Sequence, residues 1–256
     1  MTDAKISIRN LTMAYGDFVI QRDLEFDIDK GEIFIIMGDS GSGKSTLLKH
    51  LIGLMRPAAG SIHYGDTDYW GGDEATRDAI SRQFGVLYQS GALWSSMTLA
   101  DNIRLPLVSY TDYSERDIAE IVSFKLSLVG LAGFEGYYPS EISGGMKKRA
   151  GLARAMALDP DILFFDEPSA GLDPISSKRL DDLIIELRDG LGATIVIVTH
   201  ELASIFAIGD RGIFVDADAR TQTALGPIAD LRRSPPNEKI AEFLNRGASP
   251  NEGQLS

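Results

Sequence analysis

The sequence predicts an α/β fold with a buried sheet at its centre. Its main evidence is a set of short apolar runs that each end in a polar residue, as strands buried on both faces do; they cover 33–37, 84–88, 162–165 and 194–198. Segments with helical spacing of apolar residues alternate with these runs, as at 113–129 and 176–188. The first run leads through a glycine-rich loop into a helix-like segment, which is a strand–loop–helix unit.

The glycine-rich loop matches the pattern G-x-x-x-x-G-K-[ST], which is typical of a phosphate-binding loop. The loop and the first residue after it are Gly38, Asp39, Ser40, Gly41, Ser42, Gly43, Lys44, Ser45 and Thr46. Glycines let successive backbone N–H groups turn toward phosphate oxygens, and the following helix start favours an anion. We expect Lys44 to reach the β- and γ-phosphates of a nucleoside triphosphate and Ser45 to hold Mg²⁺. The alternative is a glycine turn with an exposed lysine.

The residues before the loop predict a small antiparallel sheet. Apolar and polar residues alternate at 6–8, 18–20 and 24–28, and 29–32 has the composition of a hairpin turn. Tyr15 lies a short way upstream of the loop, where an aromatic ring could stack on a purine. An ordinary tyrosine at a strand end is the alternative interpretation.

Composition narrows the class of protein. The chain has 256 residues, 44% of them hydrophobic, which suits one large domain or a domain with a subdomain. Its formal net charge of −12 disfavours nucleic acid as the main partner, and the lack of cysteine excludes thiol chemistry. No apolar run approaches the ~18 residues of a membrane span, and the first ten residues lack a signal-peptide core. We therefore expect a soluble protein that could dock on a membrane protein.

The middle of the chain has a predicted loop and a second glycine-bearing helix start. Residues 91–106 are expected to be irregular, with large apolar side chains that form a contact surface or lie beneath a helix. Ser143 is a candidate N-cap for a helix that begins with Gly144 and Gly145, and this helix start is a second potential anion site. We expect the basic run 147–149 to form a solvated face.

Polar residues at the ends of the later strands are the candidate reactive groups. Asp166 suits Mg²⁺ coordination, and Glu167 suits activation of a water for attack on a γ-phosphate. Gln89 and His200 also follow strands, where open α/β sheets place ligand-facing groups. The alternatives are that the two acids cap the next turn, that Gln89 caps a loop, and that His200 is structural.

Together these motifs resemble the ATP-binding subunit of an ABC transporter. The resemblance covers about 6–244 and implies a P-loop NTPase fold with a RecA-like core, an N-terminal antiparallel β subdomain and an α-helical subdomain at about 91–158. It implies an ATPase domain over 1–246. Residues 247–256 are polar and lack apolar anchors, so we expect them to form a disordered tail. One departure is Met146, where the common signature has Gln.

The resemblance also implies roles for individual residues, with ATP and Mg²⁺ as the bound groups. Tyr15 is similar to the aromatic residue that stacks on adenine, and Gln89 to the residue that senses Mg²⁺ and links the site to the transmembrane partner. Glu167 resembles the catalytic base and His200 the switch histidine, with Lys44 as the third catalytic residue. The remaining implied contacts are with the ATP of a second copy of the chain, through Ser143, Gly144, Gly145 and, at the dimer interface, Asp173.

A narrower likeness is to the Mla/Mce-type phospholipid transport ATPases of Gram-negative bacteria. It includes 85–94, 97–98, 143–149 and 166–174. It implies a membrane permease that docks near Gly91–Asn102, a periplasmic Mce-domain lipid-binding protein, a small STAS-domain subunit, and a place on the cytoplasmic face of the inner membrane. Alternatives are an importer ATPase for amino acids or another small solute, a soluble ABC ATPase of DNA repair or translation, and a non-catalytic nucleotide-binding scaffold.

Overall fold

The computed structural model describes residues 4–246, and the predicted disordered tail at 247–256 lies outside them. The strands in this part of the chain are β1 (Ala4–Tyr15), β2 (Phe18–Asp29), β3 (Ile33–Met37), β4 (Ala59–Tyr64), β5 (Thr67–Asp68), β6 (Phe84–Leu87), β7 (Ile162–Asp166), β8 (Thr194–Val198), β9 (Arg211–Asp216) and β10 (Thr221–Pro227). The helices are α1 (Lys44–Leu51), α2 (Glu74–Ser81), α3 (Leu99–Tyr110), α4 (Glu115–Leu128), α5 (Gly144–Ala155), α6 (Pro174–Leu191), α7 (Leu202–Ile208), α8 (Ile228–Arg233) and α9 (Glu238–Asn245), with a short 3₁₀ turn at Pro139–Glu141.

A six-stranded sheet forms the centre of the molecule, in the order β10-β9-β3-β8-β7-β6. All its neighbouring pairs are parallel except β10 with β9, which form an antiparallel hairpin. Every residue of β3 and β8 is buried, which explains why these strands are continuous apolar runs rather than alternating ones. This arrangement is the predicted α/β architecture.

A second, antiparallel sheet has the order β2-β1-β4-β5 and corresponds to the predicted N-terminal sheet. It is joined to the edge of the central sheet, where the backbone N–H of Arg22 donates to the carbonyl of Arg220 at 2.9 Å. Nearby, the side-chain amide of Gln222 donates to the carbonyl of Glu25. The hairpin near the end of the described chain therefore fastens the N-terminal sheet in place.

Two hydrophobic cores lie on opposite faces of the central sheet. On one face, Ile33, Ile35 and Phe165 pack with helices α3–α9. On the other, Phe34 and Phe164 pack with α1 and the inner face of the antiparallel sheet. Since successive strand residues point to opposite faces, each central strand contributes to both cores and is fixed in register from both sides.

The expectation of an irregular segment over 91–106 is wrong for its second half, because α3 begins at Leu99. Thr98 starts this helix through a capping box, in which its hydroxyl accepts from the backbone N–H of Asp101 and the Asp101 carboxylate accepts from the N–H of Thr98. Pro106 lies inside the helix, where it removes one backbone hydrogen bond without ending the helix. Leu99, the first residue of α3, is buried, whereas Trp94 is 58% exposed. Of the two alternatives for the apolar residues, burial therefore applies to Leu99 and an exposed contact surface to Trp94.

Helices α3, α4 and α5 pack on one another and fall within 91–158, the range predicted for a helical subdomain; the domain boundaries themselves stay a prediction. Of the helices in the described chain, none is both long and apolar enough to cross a bilayer.

Candidate functional site

Four parallel strands bring the candidate residues to one edge of the central sheet. Strands β3, β8, β7 and β6 are consecutive neighbours, so their carboxyl ends lie side by side. The phosphate loop follows β3, Gln89 follows β6, the two acids end β7, and His200 follows β8. The topology thus assembles side chains that are more than 150 residues apart in sequence.

The phosphate loop curls around the ammonium group of Lys44. This side chain is buried, and its Nζ donates to the carbonyls of Gly38 at 2.9 Å and Asp39 at 2.8 Å. Burial lowers the pKa of Lys44, and the nearby carboxylates of Glu167, Asp39 and Asp166 oppose that shift. The result is a cation held inside a ring of backbone groups, which suits a polyphosphate ligand.

Two glycines of the loop cannot be replaced without strain. Gly38 has a φ of 148°, and a Cβ there would collide with the carbonyl of Val215. Gly43, which is the N-cap of α1, has a φ of 92°, and its Cβ would lie 2.7 Å from Ile20. Positive φ and close backbone approach are both conditions that only glycine meets at low cost.

Ser45 and Asp166 form a pair of oxygen groups beside the loop. The Ser45 hydroxyl donates to the Asp166 carboxylate at 3.2 Å. Burial raises the pKa of Asp166, and the charge of Glu167 raises it further, whereas the hydrogen bond from Ser45 lowers it. A divalent cation would stabilise the ionised form, so these residues fit Mg²⁺. Within residues 4–246 no cluster of three or more His, Cys, Asp or Glu side chains could hold a metal ion.

Glu167 and His200 are in direct contact. The Nδ1 of His200 lies 2.7 Å from one carboxylate oxygen of Glu167, and the hydroxyl of Thr199 donates to the other at 3.2 Å. The Glu167 side chain is 12% exposed and that of His200 57%. Glu167 has a φ of 48°, in the left-handed region that costs a non-glycine residue roughly 1 kcal/mol or more. An unfavourable backbone at a candidate base is typical of a functional position.

These groups border one cleft of about 740 Å³. The predicted residues that line it are Tyr15, Gly38, Asp39, Ser40, Gly41, Gly43, Lys44, Ser45, Thr46, Gln89, Glu167 and His200. Ser42 is buried, and neither Ser42 nor Asp166 lines the cleft, although Asp166 accepts a hydrogen bond from Ser45, which does. Tyr15 is 52% exposed at the wall of the cleft, where its ring is available for stacking.

Sequence reasoning missed several residues at this cleft. Phe243 and Arg246 line it from α9 and the residue after that helix, and the guanidinium of Arg246 donates to Asp39 at 2.9 Å. Gln21 is fully buried behind the loop and donates to the carbonyls of Ser42 and Asp216. A contact across 207 residues has no local signal, but Thr199 could have been found, since it too is polar and ends a buried strand.

The second predicted anion site lies away from the cleft. Ser143 caps α5 by accepting from the N–H of Met146 at 3.2 Å, as predicted. Ser143 and Gly144 are exposed, and the start of α5 does not border the cleft. Asp173 also lies outside it and caps α6 by accepting from the N–H groups of Ile175 and Ser176. The contacts of Ser143, Gly144, Gly145 and Asp173 with a second copy of the chain therefore stay predictions.

The expectation of a solvated basic face at 147–149 is wrong. Lys148 is buried, and its Nζ donates to the carbonyls of Glu167 at 3.2 Å and Ala170 at 2.6 Å. Arg149 is half-buried and donates to the carbonyl of Val129. The turn after β7 contacts Lys148 and the end of α4 contacts Arg149, and no local pattern could indicate either contact.

Comparison with known proteins places these features in context. The model of the ABC transporter family matches residues 21–170. The chain is 41% identical to the intermembrane phospholipid transport system ATP-binding protein MlaF of Haemophilus influenzae, over 95% of this chain and 91% of that protein. It is 48% identical to the probable ribonucleotide transport ATP-binding protein of Mycobacterium leprae over 77% of this chain, and spans 57% of that relative's length. A solved dimeric bacterial ABC transporter cassette has a TM-score of 0.79 and 27% identity, covering 87% of this chain and 98% of the cassette.

Proposed function

Because this chain belongs to the ABC transporter family and contains its ATPase domain, we propose that it is the ATP-hydrolysing subunit that powers phospholipid transport between the inner and outer membranes. The single observation that supports the lipid substrate is the likeness to MlaF, which extends over 95% of the chain. Membership of the ABC transporter family is sufficient to support ATP as the ligand of the cleft.

The geometry supports a division of roles in hydrolysis. Lys44 and the loop amides hold the β- and γ-phosphates, while Tyr15 stacks on the adenine. Glu167 accepts a proton from the attacking water, and His200 orients the Glu167 carboxylate through the 2.7 Å contact and reaches the γ-phosphate. Ser45, Asp166 and Gln89 would hold Mg²⁺, which supplies charge neutralisation at the phosphate oxygens when bound.

We propose that two copies of the chain close around ATP. The exposed helix start at Ser143, with free N–H groups at Gly144 and Gly145, suits the γ-phosphate of ATP bound to the second copy. Asp173 lies near the same surface and would contact the partner. The likeness to a dimeric ABC cassette supports this arrangement.

A permease helix would dock beside the predicted loop Gly91–Asn102. Trp94 borders a groove of about 540 Å³, which also exposes Tyr110 and Arg82. The floor of the groove is stiff, because Arg154 donates to the carbonyl of Ala92 at 2.7 Å and the buried Asn102 side chain accepts from the N–H of Trp94 at 2.7 Å. An exposed tryptophan beside a groove is a frequent anchor in protein interfaces. Docking there would place the chain at the cytoplasmic face of the inner membrane.

A second candidate is the ATPase of an importer for a small solute. The name of the Mycobacterium leprae relative, a probable ribonucleotide transport protein, favours this alternative. The two proposals differ in the partner subunits, since the lipid proposal includes a periplasmic Mce-domain protein and a STAS-domain subunit.

Affinity purification of the tagged chain from membranes of the cells that naturally produce it tests the proposal. We expect a permease to co-purify together with an Mce-domain protein, and phospholipid to be recovered in the complex above the level of a mock purification. A permease that co-purifies with a periplasmic solute-binding protein and no Mce-domain protein would contradict the lipid proposal and support the importer.

A further inference from the structure

Lys148 is a buried cation without a carboxylate partner. Within the described chain the ammonium group forms hydrogen bonds to carbonyl oxygens and no ion pair, and the residue is 6% exposed. Burial lowers the pKa of Lys148, opposed by the charges of Glu167 and Glu201. Both of its hydrogen bonds go to backbone carbonyls of the turn after β7. A lysine buried at this cost, with only carbonyl partners, indicates a role other than surface charge.

One of these carbonyls belongs to Glu167, whose backbone is in the left-handed region with a φ of 48°. The other belongs to Ala170, whose N–H donates back to the carbonyl of Glu167 at 3.2 Å. On the other side of Glu167, its own N–H donates to the carbonyl of Val198 at 2.8 Å. The peptide units before and after Glu167 are thus both held, and the one that follows is held by Lys148.

Lys148 lies on α5, one turn after the helix start at Ser143. Two hydrogen bonds from the Lys148 side chain therefore connect α5 to the turn after β7. The same helix start is the surface proposed above to meet the ATP of a second copy.

We propose that Lys148 is a positioning residue: it fixes the orientation of the Glu167 carboxylate and couples that orientation to the position of α5. The inference rests on the proposed role of Glu167 as the base. When α5 closes on the ATP of the second copy, Lys148 holds the Glu167 carbonyl and so keeps the carboxylate beside His200.

Three variants test this inference in the full chain. Lys148→Met removes the N–H donors and leaves a side chain of similar length, whereas Lys148→Arg retains N–H donors. Lys147→Met is the matched control at the neighbouring, less buried lysine. We expect Lys148→Met to lower kcat about tenfold with the KM for ATP unchanged, since the phosphate loop is untouched. Lys148→Arg should recover part of the lost kcat, and Lys147→Met should leave it unchanged.

Hydrogen exchange supplies a readout that does not depend on turnover. In Lys148→Met, the amides of 167–173 should exchange faster than in the control, while those of the phosphate loop should not. If Lys148→Met does not yield folded protein, Lys148→Gln, whose shorter side chain carries two N–H donors in place of three, replaces it with the same expected changes at smaller size.

Unchanged kcat and unchanged exchange at 167–173 in Lys148→Met would overturn the inference, as would an equal loss in Lys147→Met. Normal turnover in Glu167→Gln would instead show that the role of Glu167 is wrong. The two failures are distinguishable because the second is seen in a chain with Lys148 intact.

Discussion

Asp181 offers a sharp test of the electrostatics of this fold. It lies on α6 and is 6% exposed; one carboxylate oxygen accepts from the Ser204 hydroxyl at 2.9 Å, and the other has no partner among the described residues. Burial raises the pKa of Asp181 from its ordinary 3.8 to about 6, against the lowering effect of Ser204. Asp181→Asn keeps the shape and a group that can accept from Ser204 while it removes the charge.

The sign follows from proton binding. Between pH 3.8 and about 6 the folded chain holds the Asp181 proton more tightly than the unfolded chain, so this group's contribution to the free energy of unfolding decreases as pH rises through that window and is constant above it. The full shift corresponds to about 3 kcal/mol, of which about 1.5 kcal/mol falls between pH 5 and pH 7.5. The fixed cost of burying an amide does not depend on pH and cancels in this comparison.

Urea unfolding followed by tryptophan fluorescence, at several pH values from 5 to 8, measures the effect. Relative to the natural chain, Asp181→Asn should gain about 1.5 kcal/mol as pH rises from 5 to 7.5, and the gain should level off above about pH 6.5. Asp182→Asn is the matched control: its exposed carboxylate pairs with Lys178, and we expect no more than about 0.5 kcal/mol of change. A difference for Asp181→Asn that is the same at every pH would refute the reasoning.

Four further variants test the site and its surroundings. Glu167→Gln should retain ATP binding, lose at least about 100-fold in turnover and accumulate dimers in size-exclusion chromatography; normal turnover would contradict its role as base. Lys44→Ala should weaken ATP binding at least about tenfold by titration calorimetry, and unchanged affinity would disprove the phosphate cradle. Trp94→Ala should weaken binding to the purified permease about tenfold or more, whereas Phe124→Ala, an equally exposed aromatic outside the groove, should not. Arg246→Ala should reduce ATP affinity by about two- to fivefold. The unfolding midpoint should not change, because the Arg246 side chain of this ion pair is exposed, and a large loss of stability would show that α9 depends on the pair.

The sequence was sufficient for the family, the α/β fold and the ATPase, and those predictions are confirmed. Buried parallel strands are readable because they are unbroken apolar runs, and parallel topology forces their polar ends to one edge. For this reason the residue pattern alone was enough to group Gln89, Glu167 and His200 at a single cleft. Their chemical roles stay predictions.

Other features depended on packing that the local pattern does not contain. The burial of Lys148 requires the turn after β7 to cover α5, and the Arg246–Asp39 pair joins the phosphate loop to the residue after α9. The start of α3 was different: Thr98 and Asp101 have the spacing of a capping box, so the sequence does contain a local signal for that helix.

The position of β3 at the centre of the sheet has a consequence for how the chain is made. Its neighbours are β8 and β9, so Ile33 pairs with Ile195 and Phe34 with Arg211. During synthesis the strand that precedes the phosphate loop has no sheet partner until the more than 150 residues that separate it from β8 have also been made. Contacts of such long sequence separation slow folding and leave apolar strands unpaired for longer. The helices α3–α5, which contact one another locally, can assemble earlier. The strand that leads into the phosphate loop therefore joins the sheet only after β8 and β9 have been made.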